Sequence, residues 1–245
     1  MNWEEAGNPK NRTIILVHGA GGSAATWFQQ LKGLSKNHHI AALELNGHGK
    51  STDRAEKDVT NSYLEDLEKV VSYYERPILG GHSMGGALTQ LFALRHPERL
   101  SGIILIGTGA RLRVNPMVFG MLDNDFEGYI EALGSFMFHE EVPKEIVIAS
   151  RKEARKCPIR IIRRDFELCN EFDIMQSVSN ISTPTLIIVG ENDIMTPVKY
   201  ANYLHANIEN SSIHVVKSAG HMVMLEQASI VNLVITDWVR KLPKD

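Results

Sequence analysis

A serine lies at the centre of the pentapeptide Gly81-His82-Ser83-Met84-Gly85, which has the pattern G-x-S-x-G. The motif follows an apolar run that predicts a strand and opens a segment that predicts a helix, and in this context it builds a sharp turn. Glycines keep neighbouring Cβ atoms from clashing in such a turn, which leaves the Ser83 hydroxyl exposed beside the helix start. Helix-start amides, that of Met84 first, stabilise developing negative charge. The turn therefore predicts acyl transfer through a serine nucleophile, although G-x-S-x-G also occurs by chance.

A second glycine-rich segment, HGAGGS at residues 18–23, follows the apolar run at residues 13–17. Glycines let a backbone approach a substrate oxygen closely. An oxyanion hole needs two backbone N–H groups directed at one point, and a loop of this kind supplies the second. The alternative of a phosphate-binding loop is not supported, because neither Gly-Lys-Ser/Thr nor G-x-G-x-x-G occurs in this turn.

Strand-like runs alternate with helical stripes in two parts of the chain, and this alternation predicts a mostly parallel sheet with right-handed crossovers. Between about residue 109 and residue 181 the strand pattern stops and helical stripes replace it. We therefore expect an α/β core formed by residues 1–108 and 182–245, with an all-helical cap inserted at residues 109–181. The strands are predicted at residues 13–17, 39–43, 77–81, 101–106, 185–189 and 212–217, and the helices of the core at 61–74, 84–95, 198–207 and 226–241.

The order of these elements and motifs resembles the α/β-hydrolase fold superfamily over essentially the whole chain. In that family the nucleophile comes first, the acid follows the next-to-last strand and the histidine follows the last strand. Here GEND (190–193), with Pro197 four residues beyond its aspartate, comes after the strand predicted at 185–189. The sequence SAGH (218–221) comes after the last predicted strand.

The resemblance implies a role for each of these residues. Ser83 is expected to be the nucleophile, His221 the general base and then the general acid, and Asp193 the residue that orients the imidazole. Glu191 is a rival acid, but the family spacing G-x-x-D-x-x-x-P falls on Asp193. The resemblance also implies that the amide of Ala20 is the second oxyanion-hole donor, alongside that of Met84. His18 is expected to form structural hydrogen bonds beneath this loop.

Two departures from the family pattern concern the first third of the chain. The segment ELNGHGKS (44–51) resembles the turn D-x-P-G-x-G-x-S, but Glu44 and Asn46 stand where Asp and Pro or Arg are usual. About a dozen residues precede the first strong strand, so the usual pair of antiparallel edge strands is expected to be abbreviated.

Apolar side chains are plentiful in the predicted cap and around the predicted catalytic residues. Methionine adapts to apolar ligands of varied shape. We therefore predict a hydrophobic pocket for short to medium acyl esters, although each of these residues could instead pack in a core. The predicted substrate-binding residues are Phe136, Met137, Met195 and Met222.

Residues 151–164 hold seven basic side chains and only one acidic residue, Glu153. A solvated helix face is the ordinary explanation of such a pattern. The alternative is a site for a phosphate, such as that of coenzyme A, or for an acidic partner.

Composition excludes several classes of protein. The net charge of −3 provides no basic field for nucleic acid. No apolar run reaches the roughly 18 residues of a membrane span, and residues 1–10 are too polar for a secretory signal. Two cysteines are too few for a disulfide framework or a zinc site. These features predict a cytoplasmic protein whose partners are an apolar acyl substrate and water, and the oligomeric state is left open.

The residues favour a serine hydrolase of carboxylic esters that needs no metal or organic cofactor. The same triad could act on a thioester, a lactone, a peptide or the C–C bond of a diketone, or could transfer an acyl group. A ligand receptor that uses the same fold without catalysis is a third possibility. Haloalkane dehalogenases and epoxide hydrolases are disfavoured, because their relatives carry Asp in place of Ser83.

Overall fold

In the computed structural model, which describes residues 1–243, a seven-stranded sheet forms the centre of the protein. The strands are β1 (Asn2–Ala6), β2 (Thr13–Val17), β3 (His39–Glu44), β4 (Ile78–His82), β5 (Gly102–Ile106), β6 (Thr185–Gly190) and β7 (Ser211–Val216). Their order across the sheet is β1-β3-β2-β4-β5-β6-β7, and only β1 runs antiparallel, against β3. The predicted α/β class and its mostly parallel sheet are confirmed, and the expected short edge consists of the single strand β1.

Ten α-helices accompany the strands within residues 1–243. They are α1 (Phe28–Leu34), α2 (Val59–Val71), α3 (Met84–Arg95), α4 (Pro116–Asn124), α5 (Phe126–Met137), α6 (Lys144–Ala154), α7 (Ile159–Glu171), α8 (Val198–Asn207), α9 (Val223–Glu226) and α10 (Ala228–Val239). The helix predicted at 226–241 corresponds to α10, which the short helix α9 precedes, and α4 is a helix that the sequence patterns did not predict.

Each face of the sheet carries its own hydrophobic core, because alternate side chains of a strand point to opposite faces. Ile15 and Val17 of β2 pack with α2, α3 and α8 on one face. Ile14 and Leu16 of the same strand pack with α1 and α10 on the other. A strand covered on both faces reads as a continuous apolar run, which is the pattern that predicted it.

The helices α4 to α7 all lie between β5 and β6 in the chain, where the sequence predicted an insertion. They enclose a third cluster of buried side chains, to which Ile130 of α5 and Ile161 of α7 belong. The two ends of the segment are joined, since the Ile174 amide donates to the Ala110 carbonyl at 2.8 Å. No helix within residues 1–243 has the length and apolar character needed to cross a membrane.

The start of α3 packs directly on the backbone that ends β2. A Cβ atom at Gly85 would lie 2.3 Å from the Val17 carbonyl oxygen and 2.6 Å from that of His18. We expect Gly85→Ala to lower the free energy of unfolding by about 1–3 kcal/mol, because α3 must move away from the sheet.

Gly120→Ala is the matched control, because a Cβ atom at this exposed position in α4 meets nothing within 4 Å. We expect it to leave the protein as stable or to stabilise it by up to about 1 kcal/mol. Urea unfolding followed by circular dichroism measures both variants. Equal unfolding midpoints for the two would contradict the close packing at Gly85.

Candidate active site

Ser83 occupies a strained turn between β4 and α3. Its φ of 51° and ψ of −114° lie in a region that residues with a Cβ atom rarely adopt. The turn is held by a bond of 2.9 Å from the Ser83 amide to the Ile106 carbonyl and by a bond of 2.9 Å from the Thr108 hydroxyl to the Ser83 carbonyl. No side chain fits at Gly81, where a Cβ atom would lie 2.1 Å from the Gly85 carbonyl oxygen. The backbone therefore fixes the position of this serine.

The loops after β6 and β7 bring Asp193 and His221 together. Nδ1 of His221 lies 2.9 Å from Oδ2 of Asp193, and both side chains are buried. The amides of Met195 and Thr196 donate to Oδ1 of Asp193 at 2.9 and 2.8 Å, and the Thr196 hydroxyl donates to Oδ2 at 2.8 Å. Burial alone would raise the pKa of Asp193, but His221 and Thr196 outweigh it and hold that pKa far below its ordinary value. Glu191, the rival acid, is exposed on the same loop.

His82, inside the serine motif, positions the backbone of His221. Its Nε2 donates to the His221 carbonyl at 3.0 Å, and the two rings lie 4.5 Å apart between centroids. Burial, and to a lesser extent the neighbouring imidazole of His221, lower the pKa of His82 to about 3, so the His82 ring is neutral near pH 7. Sequence reasoning treated this position as the variable residue of G-x-S-x-G and did not single it out.

The loop at residues 18–23 lies against the serine turn, since a Cβ atom at Gly19 would be 3.3 Å from that of Ser83. His18 is buried beneath the loop, where Nδ1 donates to the Gly19 carbonyl at 2.8 Å and Nε2 accepts from the Leu45 amide at 3.3 Å. Burial and the charge of His48 lower the pKa of His18 to about 3, which suits this neutral tautomer. Within residues 1–243 the Ala20 amide donates no hydrogen bond.

Asp165 of α7 ties the inserted helices to this same loop. Its Oδ2 accepts from the Gly21 amide at 2.9 Å and lies 2.8 Å from Nε2 of His48, while Oδ1 accepts from the Tyr63 hydroxyl at 2.5 Å. Asp165 is fully buried. Burial would raise its pKa, but these partners, His48 above all, keep it below the ordinary value. It is one of ten acidic residues between positions 111 and 170, and no sequence pattern points to a partner 144 residues away.

Glu226 forms the matching connection on the other side of the site. Its carboxylate accepts from the Gly220 amide at 3.0 Å and from the His139 amide at 2.8 Å, just beyond the end of α5. The Met222 amide also donates to the Met137 carbonyl at 3.0 Å. The loop that carries His221 is therefore bonded to the inserted helices.

A cavity of about 360 Å³ opens between the sheet and the inserted helices. Ser83 and His221 line it together with Ala20, and so do all four predicted substrate-binding residues, Phe136, Met137, Met195 and Met222. Met84 is fully buried in the core under α3, and its position on the first turn leaves its amide without a partner inside the helix.

Six of the seven basic residues at 151–164 form ion pairs with acidic side chains, which favours the explanation as a charged helix face over a phosphate site. The ion pairs are Arg151 with Glu131, Arg155 with Glu127, Lys156 with Glu153, Arg160 and Arg164 with Asp53, and Arg163 with Asp123. Over the described range 1–243 there is no group of three or more His, Cys, Asp or Glu residues arranged to hold a metal ion.

The neutral state of His82 has a consequence for stability. In the unfolded chain its pKa returns to about 6.5, so between pH 6.5 and pH 3 the unfolded state binds more protons than the folded state. The free energy of unfolding then falls as the pH falls through this window, by up to about 1.4 kcal/mol per pH unit. We expect His82→Asn to flatten the dependence of the unfolding free energy on pH, measured by urea unfolding at several pH values between 6.5 and 4.

His205→Asn, which removes an exposed imidazole on α8, is the control for this measurement and should keep the wild-type slope. A His82→Asn variant that is as sensitive to acid as the wild type would contradict the neutral, buried state of His82.

Comparison with known proteins places the chain in a family. The family described as "Serine aminopeptidase, S33" matches residues 8–228. The uncharacterized hydrolase YugF of Bacillus subtilis (strain 168) is 27% identical over 262 residues, which cover 97% of this chain and 93% of that protein. The proline iminopeptidase of Saccharolobus solfataricus is 28% identical over 265 residues, covering 94% of this chain and 85% of that protein.

Among solved structures, a thermophilic esterase superposes with a TM-score of 0.87 at 31% sequence identity, and the match covers 98% of this chain and 92% of that one. The sheet order, the match over residues 8–228 and these likenesses agree with one another. The chain is a hydrolase of the α/β-hydrolase superfamily and belongs to its serine aminopeptidase S33 family.

Proposed function

We propose that the protein is a serine esterase that hydrolyses carboxylic esters with short to medium apolar acyl groups. The observation that carries this proposal is the convergence of three features on one apolar cavity. These features are the strained turn at Ser83, the buried pair of His221 and Asp193, and the glycine-rich loop at residues 18–23.

In the first half of the reaction, Oγ of Ser83 attacks the carbonyl carbon of the ester while Nε2 of His221 takes the hydroxyl proton. Asp193 holds Nδ1 of the ring, which keeps the accepting nitrogen directed away from the carboxylate. The amides of Ala20 and Met84 stabilise the oxyanion of the tetrahedral intermediate. As the C–O bond breaks, His221 returns the proton to the leaving alcohol, and the acyl group remains on Ser83.

The second half of the reaction repeats these steps with water in place of the alcohol. His221 takes a proton from water as its oxygen attacks the acyl carbon, and the same amides stabilise the second tetrahedral intermediate. Collapse breaks the bond to Oγ, and His221 returns the proton to Ser83. The products are a carboxylic acid and an alcohol, and His82 supports the cycle by holding the backbone of His221.

The lining of the cavity favours an ester as the substrate over a peptide with a free N-terminus. A free peptide N-terminus is usually held by a carboxylate, and none of the residues that line this cavity is acidic. Glu153 lines an adjoining cavity, but its carboxylate already pairs with Lys156 and accepts from the Ser23 hydroxyl at 3.1 Å. The side chains that α4 and α5 contribute, Tyr129 apart, are apolar. The thermophilic esterase with 31% identity supports the same choice. The family description and the proline iminopeptidase make peptide hydrolysis the alternative to be tested.

Ser83→Ala tests the nucleophile. We expect kcat for p-nitrophenyl butyrate to fall by several orders of magnitude with little change in stability, because the attacking oxygen is lost. A fluorophosphonate should form one adduct per chain on Ser83, measured by mass spectrometry, and none in the variant. Ser72→Ala, exposed at the end of α2, is the control. If the wild-type protein formed no adduct, every serine-hydrolase mechanism would be contradicted and the ligand receptor would be the remaining hypothesis.

Rate measurements with several acyl substrates identify the substrate class. We expect kcat/KM for p-nitrophenyl butyrate to exceed that for butyryl-coenzyme A and for prolyl and leucyl p-nitroanilides. Faster cleavage of an anilide would make peptide hydrolysis the activity, and faster cleavage of the thioester would contradict the preference for uncharged substrates.

Asp193→Asn and Glu191→Gln form a matched pair on one loop. Asp193→Asn should lower kcat by several orders of magnitude, because an amide can hold the imidazole in the wrong tautomer. Glu191→Gln should stay near the wild-type rate, since its side chain is exposed. Initial rates with p-nitrophenyl butyrate measure both variants. The reverse result would make Glu191 the acid.

A further inference from the structure

A second cavity of about 320 Å³ adjoins the first. The two cavities share part of their lining, including Ala20 and Gly22 of the loop beside Ser83. Away from this boundary the second cavity reaches α6 and α1, where Gln29, Ser150 and Glu153 line it. The space at the serine therefore has two arms, one with an apolar wall from α4 and α5 and one whose far wall combines these polar side chains with apolar ones such as Phe28 and Ile146.

Tyr129 of α5 stands at the boundary and lines both cavities. Only 6% of its surface is exposed, and its hydroxyl forms no hydrogen bond with any group in residues 1–243. Phe126 stacks on its ring with centroids 6.0 Å apart, and Phe166 meets the ring edge to face at 6.2 Å. Burial raises the pKa of Tyr129, so the group is a neutral hydroxyl that can both donate and accept. The ring is held in place, and its polar end has no protein partner.

The Tyr129 hydroxyl is not among the fully buried polar atoms of residues 1–243 that lack a partner, so it is open to the cavities that the ring lines. A polar atom at a cavity surface that has no protein partner takes its hydrogen bonds from water or from a ligand. The other residues shared by the two cavities give Tyr129 no polar side chain except that of Thr26, whose hydroxyl also has no hydrogen bond within residues 1–243. Thr26 lies in the short helical turn Ala24–Trp27, directly after the glycine-rich loop. Two free hydroxyls thus line the boundary between the cavities.

We infer that Tyr129 determines substrate specificity by binding an oxygen atom of the substrate through its hydroxyl. The oxygen belongs to the arm of the ester that enters the second cavity, while an apolar group fills the first. The preferred substrates are therefore esters with an ether or hydroxyl oxygen in one arm, rather than esters of two hydrocarbon groups. This inference rests on the proposed esterase function and adds the substrate class.

Tyr129→Phe tests the inference, because it removes the hydroxyl, keeps the ring and breaks no hydrogen bond within the described residues. Butyl butyrate is compared with 2-methoxyethyl butyrate, in which one ether oxygen replaces a methylene group. Butyl hexanoate and butyl 4-oxahexanoate make the same comparison in the acyl arm. We expect the variant to lose about two- to tenfold in kcat/KM for the oxygen-bearing ester of one pair, and to stay within about twofold for its hydrocarbon partner.

The ether oxygen also changes the intrinsic reactivity of the ester. The quantity compared is therefore the ratio of kcat/KM for the oxygen-bearing ester to that for its hydrocarbon partner, measured in the wild type and in the variant. Tyr203→Phe is the matched control, since its hydroxyl donates to the Met175 carbonyl and lies outside both cavities. It should leave both ratios unchanged. Equal ratios in wild type and Tyr129→Phe for both pairs would overturn the inference while leaving the esterase function intact.

A binding measurement separates the inference from the proposed function. The ketones 7-methoxyheptan-4-one and nonan-4-one are isosteres of the first ester pair that cannot be hydrolysed, and calorimetry gives their affinities. The inference is supported if the wild type binds the methoxy ketone more tightly than nonan-4-one and Tyr129→Phe loses this difference. This holds even if the protein cleaves no ester, and in that case only the esterase proposal fails. The specificity role of Tyr129 is contradicted if wild type and variant bind each ketone with the same affinity and also show the same ester ratios.

Discussion

Backbone packs directly on backbone where β2 and β4 end and α3 begins. A Cβ atom at Gly81 would lie 2.1 Å from the Gly85 carbonyl, and one at Gly85 would lie 2.3 Å from the Val17 carbonyl. With no side chain between them, the three segments reach a separation that other residues forbid, and Ser83 is held at a positive φ. The loop at residues 18–23 continues from β2, so the same contact places its amides beside the serine. One steric constraint thus sets both the hydroxyl and the groups that face it.

Two carboxylates, the buried Asp165 and the half-buried Glu226, extend this arrangement to the inserted helices. Asp165 joins α7 to the Gly21 amide, and Glu226 joins the end of α5 to the Gly220 amide beside His221. A carboxylate withdrawn from water needs several hydrogen-bond donors, because losing one of them leaves its negative charge without compensation. The inserted helices therefore cannot shift relative to the sheet without disturbing a loop on each side of Ser83. They form the wall of the cavity and also brace the loops of the candidate site.

Local pattern predicted those parts of the site that depend on local geometry. Ser83 stood out because a sharp strand-to-helix turn needs glycines at fixed spacing, and β2 stood out because burial on both faces requires a continuous apolar run. Asp165 could not be found in this way, since its partners His48 and Gly21 lie more than 100 residues away and acidic residues are common on helices. His82 was hidden for a different reason, because its role is a hydrogen bond to a backbone carbonyl, which imposes no pattern on the sequence. The second cavity is lined by residues of α1, α5 and α6 that lie far apart in the chain, and no periodicity encodes this arrangement.

The few polar groups of the cavity can distinguish between substrates more strongly than its large apolar wall can. An apolar pocket distinguishes substrates that differ by one methylene group by only about 1–3 kcal/mol, and methionines that adapt their shape reduce even that. A fixed hydroxyl behaves differently, because a substrate that leaves it unpaired incurs the full cost of its desolvation. The ring of Tyr129 contacts Phe126 and Phe166, which keeps its hydroxyl oxygen at the boundary between the cavities. Packing of the ring against apolar neighbours is therefore what makes the polar end selective.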